Sequence, residues 1–204
     1  MLCISAQTPP PPADPTLAVV RITSHGATGT IIKSEPGKSL ILSCGHMIDG
    51  ASFVFQLDAR PQTTAPDKKS KVRLAKLDTE LDLSLLEIDN GPFATIPVAP
   101  TGYKPETAYG IGYPSMKWPG VVTEATITST DKYYTYTREQ PQKGTSGGPL
   151  ISGGYLIGVV HGYETVGDKR GMYVSHQAIM KFLNGPDVNP ACPTCPIQPK
   201  RSKS

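Results

Sequence analysis

KGTSGGPLI, residues 143–151, carries more chemical information than any other stretch of this chain. A serine flanked by glycines needs a physical reason. Gly144 lets the backbone turn so that its N–H can face a substrate oxygen. Gly147 and Gly148 leave no side chain to obstruct approach to Ser146. Pro149 then opens an apolar run that would hold the loop still. A nucleophile and an anion-binding pair of N–H groups can be built this way from one tight turn. The plainer alternative is a glycine-rich β-turn with a solvent-facing serine.

Outward from this loop the sequence reads as strands. Downstream lie YLIGVVHG (155–162) and GMYVSH (171–176), then HQAIMKFLNG (176–185). That last segment is the one helical pattern, with Ile179, Phe182 and Leu183 on one face and Gly185 at the expected C-cap. Upstream lie LAVVRITS (17–24), GTIIKS (29–34), SLILSC (39–44), ASFVFQL (51–57), KVRLAKL (71–77) and LSLLEI (83–88). A second group follows at TAYGIGY (107–113), GVVTEATITS (120–129) and KYYTYT (132–137), with GPLIS (148–152) closing the loop. Residues 58–69 read as an exposed hairpin loop. The stretch 91–105 holds Pro92, Pro97, Pro100 and Pro105 and reads as a connector between two β units, about 17–90 and 106–185. Residues 1–16 read as a flexible leader and 186–204 as a disordered, proline-rich basic tail.

Composition narrows the function classes. The 204 residues include 20 glycines and 21 prolines, a density that interrupts long helices and favours short strands. A net charge of +3 is too mild for a phosphate-neutralising surface, so no nucleic-acid partner is expected. No apolar run approaches the roughly 18 residues of a membrane helix, so no membrane span is expected. Of the four cysteines, Cys44 lies in an apolar run, while Cys3, Cys192 and Cys195 lie near the termini. This is no disulfide scaffold, and a single CxxC at 192–195 is half of a zinc site at most. No metal or organic cofactor is expected. The start, MLCISAQ, ends like a signal-cleavage site but is short and lacks a basic region. It fits the tail of an export signal, as in a secreted or periplasmic protein, as well as it fits a plain disordered terminus.

A serine hydroxyl is a weak nucleophile and needs a base, usually histidine. Four are available: His25, His46, His161 and His176. His46 follows the buried run LILSC and one glycine, a rigid place for an imidazole. The base in turn needs a carboxylate to fix its tautomer. Asp78, Asp82 and Asp89 are candidates, and Asp82, set between leucines in LDLSLLEI, would be costly to bury without a partner.

ILSCGHMI, LDLSLLEI and GTSGGPLI, in the order His46, Asp82, Ser146, resemble the three catalytic segments of trypsin-like (chymotrypsin-fold) serine proteases. The resemblance runs from about residue 17 to 185. It implies an all-β fold of two six-stranded antiparallel β-barrels with a C-terminal helix and the site between them. It further implies a serine endopeptidase acting on protein or peptide substrates through an acyl-enzyme, with Gly144 and Ser146 N–H groups as the oxyanion hole. The rival is an inactive relative that binds peptides in the same cleft. Thr145 stands where digestive members carry the aspartate that pairs with a new N-terminus, so no trypsinogen-like activation is expected, and the chain looks closer to bacterial, HtrA-like or viral-type members. By the same resemblance, Gln140, His161 and Gly162 would bind substrate. Gln140 sits where the pocket floor lies and is no aspartate, which argues against Lys or Arg selection. His161 is read either as the pocket wall or as packing behind the triad. Oligomeric state is not legible.

Overall fold

A computed structural model describes residues 14–47, 57–61, 70–164, 167 and 169–185. Cys3, the CPTC segment and the 186–204 tail lie outside them, as do the loop residues 62–69 and most of the 51–57 run. The leader expected over 1–16 is described only at its end, where Asp14 caps a short 3-10 turn, Pro15–Ala18, by accepting from Thr16 N at 2.9 Å.

The first unit is a closed antiparallel barrel. Its strands are β1 (Val19–Ile22), β2 (Ala27–Glu35), β3 (Lys38–Cys44), β4 (Leu57–Pro61), β5 (Ser70–Asp78) and β6 (Leu83–Ile88), arranged β1-β2-β3-β6-β5-β4. β4 therefore takes in the start of the segment expected to be loop. Alternation supplies the interior. Val20, Ile22, Ile31, Ile41, Leu86 and Ile88 are essentially inaccessible and pack together inside the barrel.

The second unit comprises β7 (Ala108–Gly112), β8 (Val121–Ala125), β9 (Ile127–Thr130), β10 (Tyr134–Thr137), β11 (Pro149–Ser152), β12 (Tyr155–Tyr163) and β13 (Gly171–Ser175). The expectation was a six-stranded barrel; the sheet has seven strands, in the order β8-β7-β11-β12-β13-β10-β9. The run expected as one strand over 120–129 is broken at Thr126. Glu139 accepts from Thr126 N at 2.6 Å and from its hydroxyl at 3.0 Å, and Arg138 N donates to Thr126 O at 2.9 Å. The two edge strands, β8 and β9, are thus halves of one bent segment, and the sheet curls back on itself there.

α1 (His176–Asn184) closes the fold. Ser175 caps it by accepting from Ala178 N at 3.3 Å, and Ile179 and Phe182 are buried. Gly185 holds the expected C-cap position, but with φ −72° rather than in the left-handed region. Lys76 of β5, itself buried, donates to Gly185 O at 2.7 Å and lies 5.1 Å from the Phe182 ring. A cation at a helix C-terminus is favourable, and this one ties the helix to the first barrel. A shared apolar cluster, including Leu42, Leu83, Ile111, Val159, Ile179 and Phe182, fills the seam between the two units.

Candidate active site

The site starts from strand register. β3 and β6 run antiparallel with Cys44 opposite Leu83. The residue two beyond the end of β3 and the residue just before β6 are therefore neighbours, and they are His46 and Asp82. Gly45 makes the approach possible. A Cβ there would lie 3.1 Å from both Asp82 C and Leu83 N, and Gly45 N donates to Asp82 O at 2.9 Å.

Asp82 itself has φ +56°, in the left-handed region that aspartate and asparagine tolerate better than most residues. The turn leading into it is held by Asp78, whose Oδ1 accepts from Glu80 N at 3.0 Å and Leu81 N at 2.9 Å. Asp78 is thus spent on local structure. Asp89 is exposed and pairs with Arg73.

Asp82 is buried and its carboxylate receives three donors. Oδ1 accepts from His46 N at 2.5 Å, and Oδ2 accepts from His46 Nδ1 at 2.8 Å and from His161 Nδ1. Burial alone would raise the Asp82 carboxyl; the bonds from His161 and His46, with their charges, outweigh it and bring it well below the usual range. The bond to Asp82, with a smaller contribution from the buried Cys44 thiol, raises His46 well above an ordinary imidazole, against the effect of its own burial.

Ligating atoms of His46, Asp82 and His161, one from each, lie within 4.8 Å of one another, which is a donor set that metals accept. A separation of 2.8 Å, however, is that of a shared proton. Two ligands on one zinc, each about 2.0–2.1 Å from it, stand farther apart in a tetrahedral site.

His161 reaches Asp82 because of a bulge. β12 pairs Val160 with Tyr173 and Gly162 with Met172, so His161 is the extra residue between them. Bulges re-aim side chains next to functional sites. Val160 and Gly162 line a cleft of about 350 Å³ beside Ser146, together with Pro141, Gln142, Lys143 and Tyr163. His161 turns to the other side, where its Nδ1 meets Asp82 Oδ2. Gln140, whose amide donates to Lys169 O, lines an adjoining pocket together with Pro141, Gln142, Thr145 and Val160. Gly162, of the three residues expected to bind substrate, borders the cleft beside Ser146.

The remaining histidines stand apart. His25 is half-buried beside Ser24, and His176 is buried at the start of α1.

The Ser146 loop is anchored across the seam. Thr28 of β2 donates its N–H to Ser146 O at 2.8 Å and its hydroxyl to Gly144 O at 3.0 Å. Ser115 N, in a turn where Ser115 and Met116 have φ +51° and +59°, donates to Lys143 O at 2.9 Å. Arg21 of β1 fixes that turn by donating to Met116 O at 2.7 Å while lying over the Tyr113 and Trp118 rings.

These bonds orient two peptides. In a trans peptide the C=O and N–H point opposite ways. With Lys143 O held by Ser115 and Thr145 O held by Gly148 N at 2.8 Å, the N–H groups of Gly144 and Ser146 are turned away from those partners. Neither N–H has an acceptor among the described residues. The Thr145 hydroxyl caps the turn, donating to Gln142 O at 2.7 Å. Ser146 Oγ makes no hydrogen bond to His46 among the described residues; catalytic contacts in free enzymes often tighten only when substrate is bound. Thr28 and Ser115 were invisible to sequence reasoning, because each acts through a partner 28 to 118 positions away.

Gly147 tests how tightly this loop is seated. Its φ is +81°, and a Cβ would collide with Ser43 Oγ and Thr28 O and lie 2.8 Å from Cys44 N. Gly147→Ala should cost about 3 kcal/mol, or roughly 6–12 °C in Tm. A thermal melt checks this, and an unchanged Tm would mean the loop sits elsewhere.

A trypsin-like peptidase domain profile matches residues 27–159, more than half of the chain. The chain is 28% identical over 179 residues to an Arabidopsis thaliana protein named, provisionally, protease Do-like 12, mitochondrial. That match covers 79% of this chain and 34% of the Arabidopsis protein, so the chain spans about a third of the relative's length. Among solved structures, the serine endoprotease from Yersinia pestis superposes with a TM-score of 0.67 at 23% identity, over 82% of this chain and 62% of that one. Rv3671c of M. tuberculosis H37Rv, a serine-to-alanine mutant in its inactive form, does so with a TM-score of 0.66 at 21% identity, over 83% and 86%. The superpositions show a common fold, and the profile match over residues 27–159 places the chain in the trypsin-like peptidase domain family.

Proposed function

We propose that the chain is a serine endopeptidase, with Ser146 as nucleophile, His46 as general base and Asp82 as the group that orients it. The observation that carries this reading is the pair of bonds from His46, backbone N and ring Nδ1, onto one buried carboxylate. They hold the ring as the Nδ1–H tautomer and leave Nε2 as the base.

Ser146 Oγ attacks the scissile carbonyl carbon while its proton passes to His46 Nε2. The carbonyl π pair moves to oxygen, and the N–H groups of Gly144 and Ser146 receive the charge. On collapse the C–N bond breaks, the amine takes the proton from Nε2, and an acyl-enzyme remains. Water repeats the sequence and releases the acid. Loss of one oxyanion donor costs about 100- to 1000-fold in such sites. The cleft bordered by Val160 and Gly162 receives the side chain before the cut.

The deciding experiment is labelling with a fluorophosphonate probe. The folded chain should react and carry the adduct on Ser146, found by peptide mass mapping, and the denatured chain should not. Peptide binding with no adduct would make this a non-catalytic relative.

A further inference from the structure

We propose that His161 is a positioning residue: by donating Nδ1–H to the same oxygen, Asp82 Oδ2, that receives His46 Nδ1–H, it divides the carboxylate between two imidazoles and weakens the hold of Asp82 on the His46 proton. The proposal rests on the serine-peptidase reading above.

Three observations carry it. The two rings share one acceptor atom, and the Asp82 side chain is only 7% exposed, so water can offer little in place of either donor. The bulge in β12 is centred on His161 and aims it at the carboxylate instead of the cleft. Neighbouring rings hold it there, with His46 at 6.1 Å and perpendicular and Tyr134 of β10 at 5.5 Å.

The titratable groups around this cluster are few. Cys44 faces it from β3, Tyr134 from β10, and Asp78 and Glu80 from the turn before Asp82, with Lys181 of α1 beyond. Asp131 and Tyr136 act on Tyr134 in turn. None of these donates to Asp82 Oδ2 among the described residues. A carboxylate oxygen that accepts two bonds offers less charge to each donor than one that accepts a single bond. Removing His161 therefore returns the whole of Oδ2 to His46, which then holds its proton more tightly.

The test separates donor from ring. His161→Phe keeps an aromatic ring without the N–H. His161→Asn places an amide N–H near the position of Nδ1 without the ring. If the phenyl ring does not fit, His161→Ala replaces it. The full chain with ¹⁵N-labelled histidine is followed by NMR across pH, alongside kcat/KM for a peptide substrate.

Wild type should show two far-downfield Nδ1–H protons, and His161→Phe one. In His161→Phe the His46 titration midpoint should rise by about one pH unit. The acid limb of kcat/KM should move with it, lowering kcat/KM about tenfold below both limbs at unchanged KM. His161→Asn should return the midpoint close to wild type. An unmoved midpoint in His161→Phe overturns the proposal, and so does a midpoint that His161→Asn fails to restore. A midpoint that behaves as stated in a chain that neither cleaves nor labels would uphold the shared carboxylate and dismiss the peptidase. A labelled, active chain with an unmoved midpoint would do the reverse.

Discussion

Ser146→Ala is expected to lower kcat by about a millionfold, the size of loss that removal of the nucleophile produces in a serine triad. The fold should not notice. Ser146 Oγ has no hydrogen-bond partner among the described residues, while the loop is held through backbone groups, by Thr28 N on Ser146 O and by Gly147 N on Val160 O at 2.9 Å. Alanine keeps both bonds. The melting temperature should therefore stay within about 2 °C of wild type. The residual rate, about a thousandfold over water, would come from the oxyanion N–H groups and binding. A loss smaller than about a hundredfold, with the fold intact, would place the nucleophile at another residue.

Asp82→Asn should cost about 10⁴-fold in kcat, the size of loss that the same substitution produces in a serine triad. Here the chemistry makes the conflict unavoidable. The carboxylate accepts three bonds, one on Oδ1 from the His46 backbone and two on Oδ2 from the imidazoles. An asparagine offers one oxygen and one donating NH2. If the NH2 replaces Oδ2, both rings must turn their Nδ1 lone pairs to it, and His46 carries its proton on Nε2, where it cannot accept one from serine. If the NH2 replaces Oδ1, it meets the His46 N–H donor to donor. The backbone is not the cause, because asparagine tolerates the +56° φ at this position.

The same variant has a stability signature. The Asp82 carboxyl lies below its unfolded range, so its contribution is complete above about pH 4 and is lost as pH falls through the depressed folded value. Asp82→Asn should flatten this part of the acid-denaturation curve. Activity within tenfold of wild type across pH would exclude Asp82 from the relay.

Much of the architecture was legible because strands announce themselves locally. The alternation of LAVVRI, the apolar run LILSC and the turns between them depend on neighbours in sequence. Twelve runs were read as strands, and the helix fell at 176–184, within a residue of expectation. The departures have local causes too. Glu139 reaches back to Thr126 and splits a strand that propensity alone would continue. Gly185 sits where a cap belongs and its N–H donates to Lys181 O, yet it keeps φ −72° while Lys76 of β5 donates to its carbonyl.

The site was legible in its residue types and not in its wiring. Ser146 among glycines, His46 after a buried strand and Asp82 among leucines each carry a chemical cost or purpose that can be argued from adjacent residues. The fate of His161 could not be read this way. A period of two puts it opposite Val160 and Gly162, but its aim at Asp82 comes from one extra residue in the pairing of β12 with β13, a property of two strands together. The seating of the Gly144 and Ser146 peptides likewise depends on Thr28 and Arg21 in one unit and Ser115 in the other.

Residue chemistry and the order of apolar and turn segments are written along the chain, and they were enough to name most of the described elements and the candidate reacting groups. Which acceptor each donor meets is written across it. Hydrogen bonds form between atoms a few ångströms apart whatever their distance in sequence, so the shared oxygen of Asp82 became visible only once the two sheets had closed on each other.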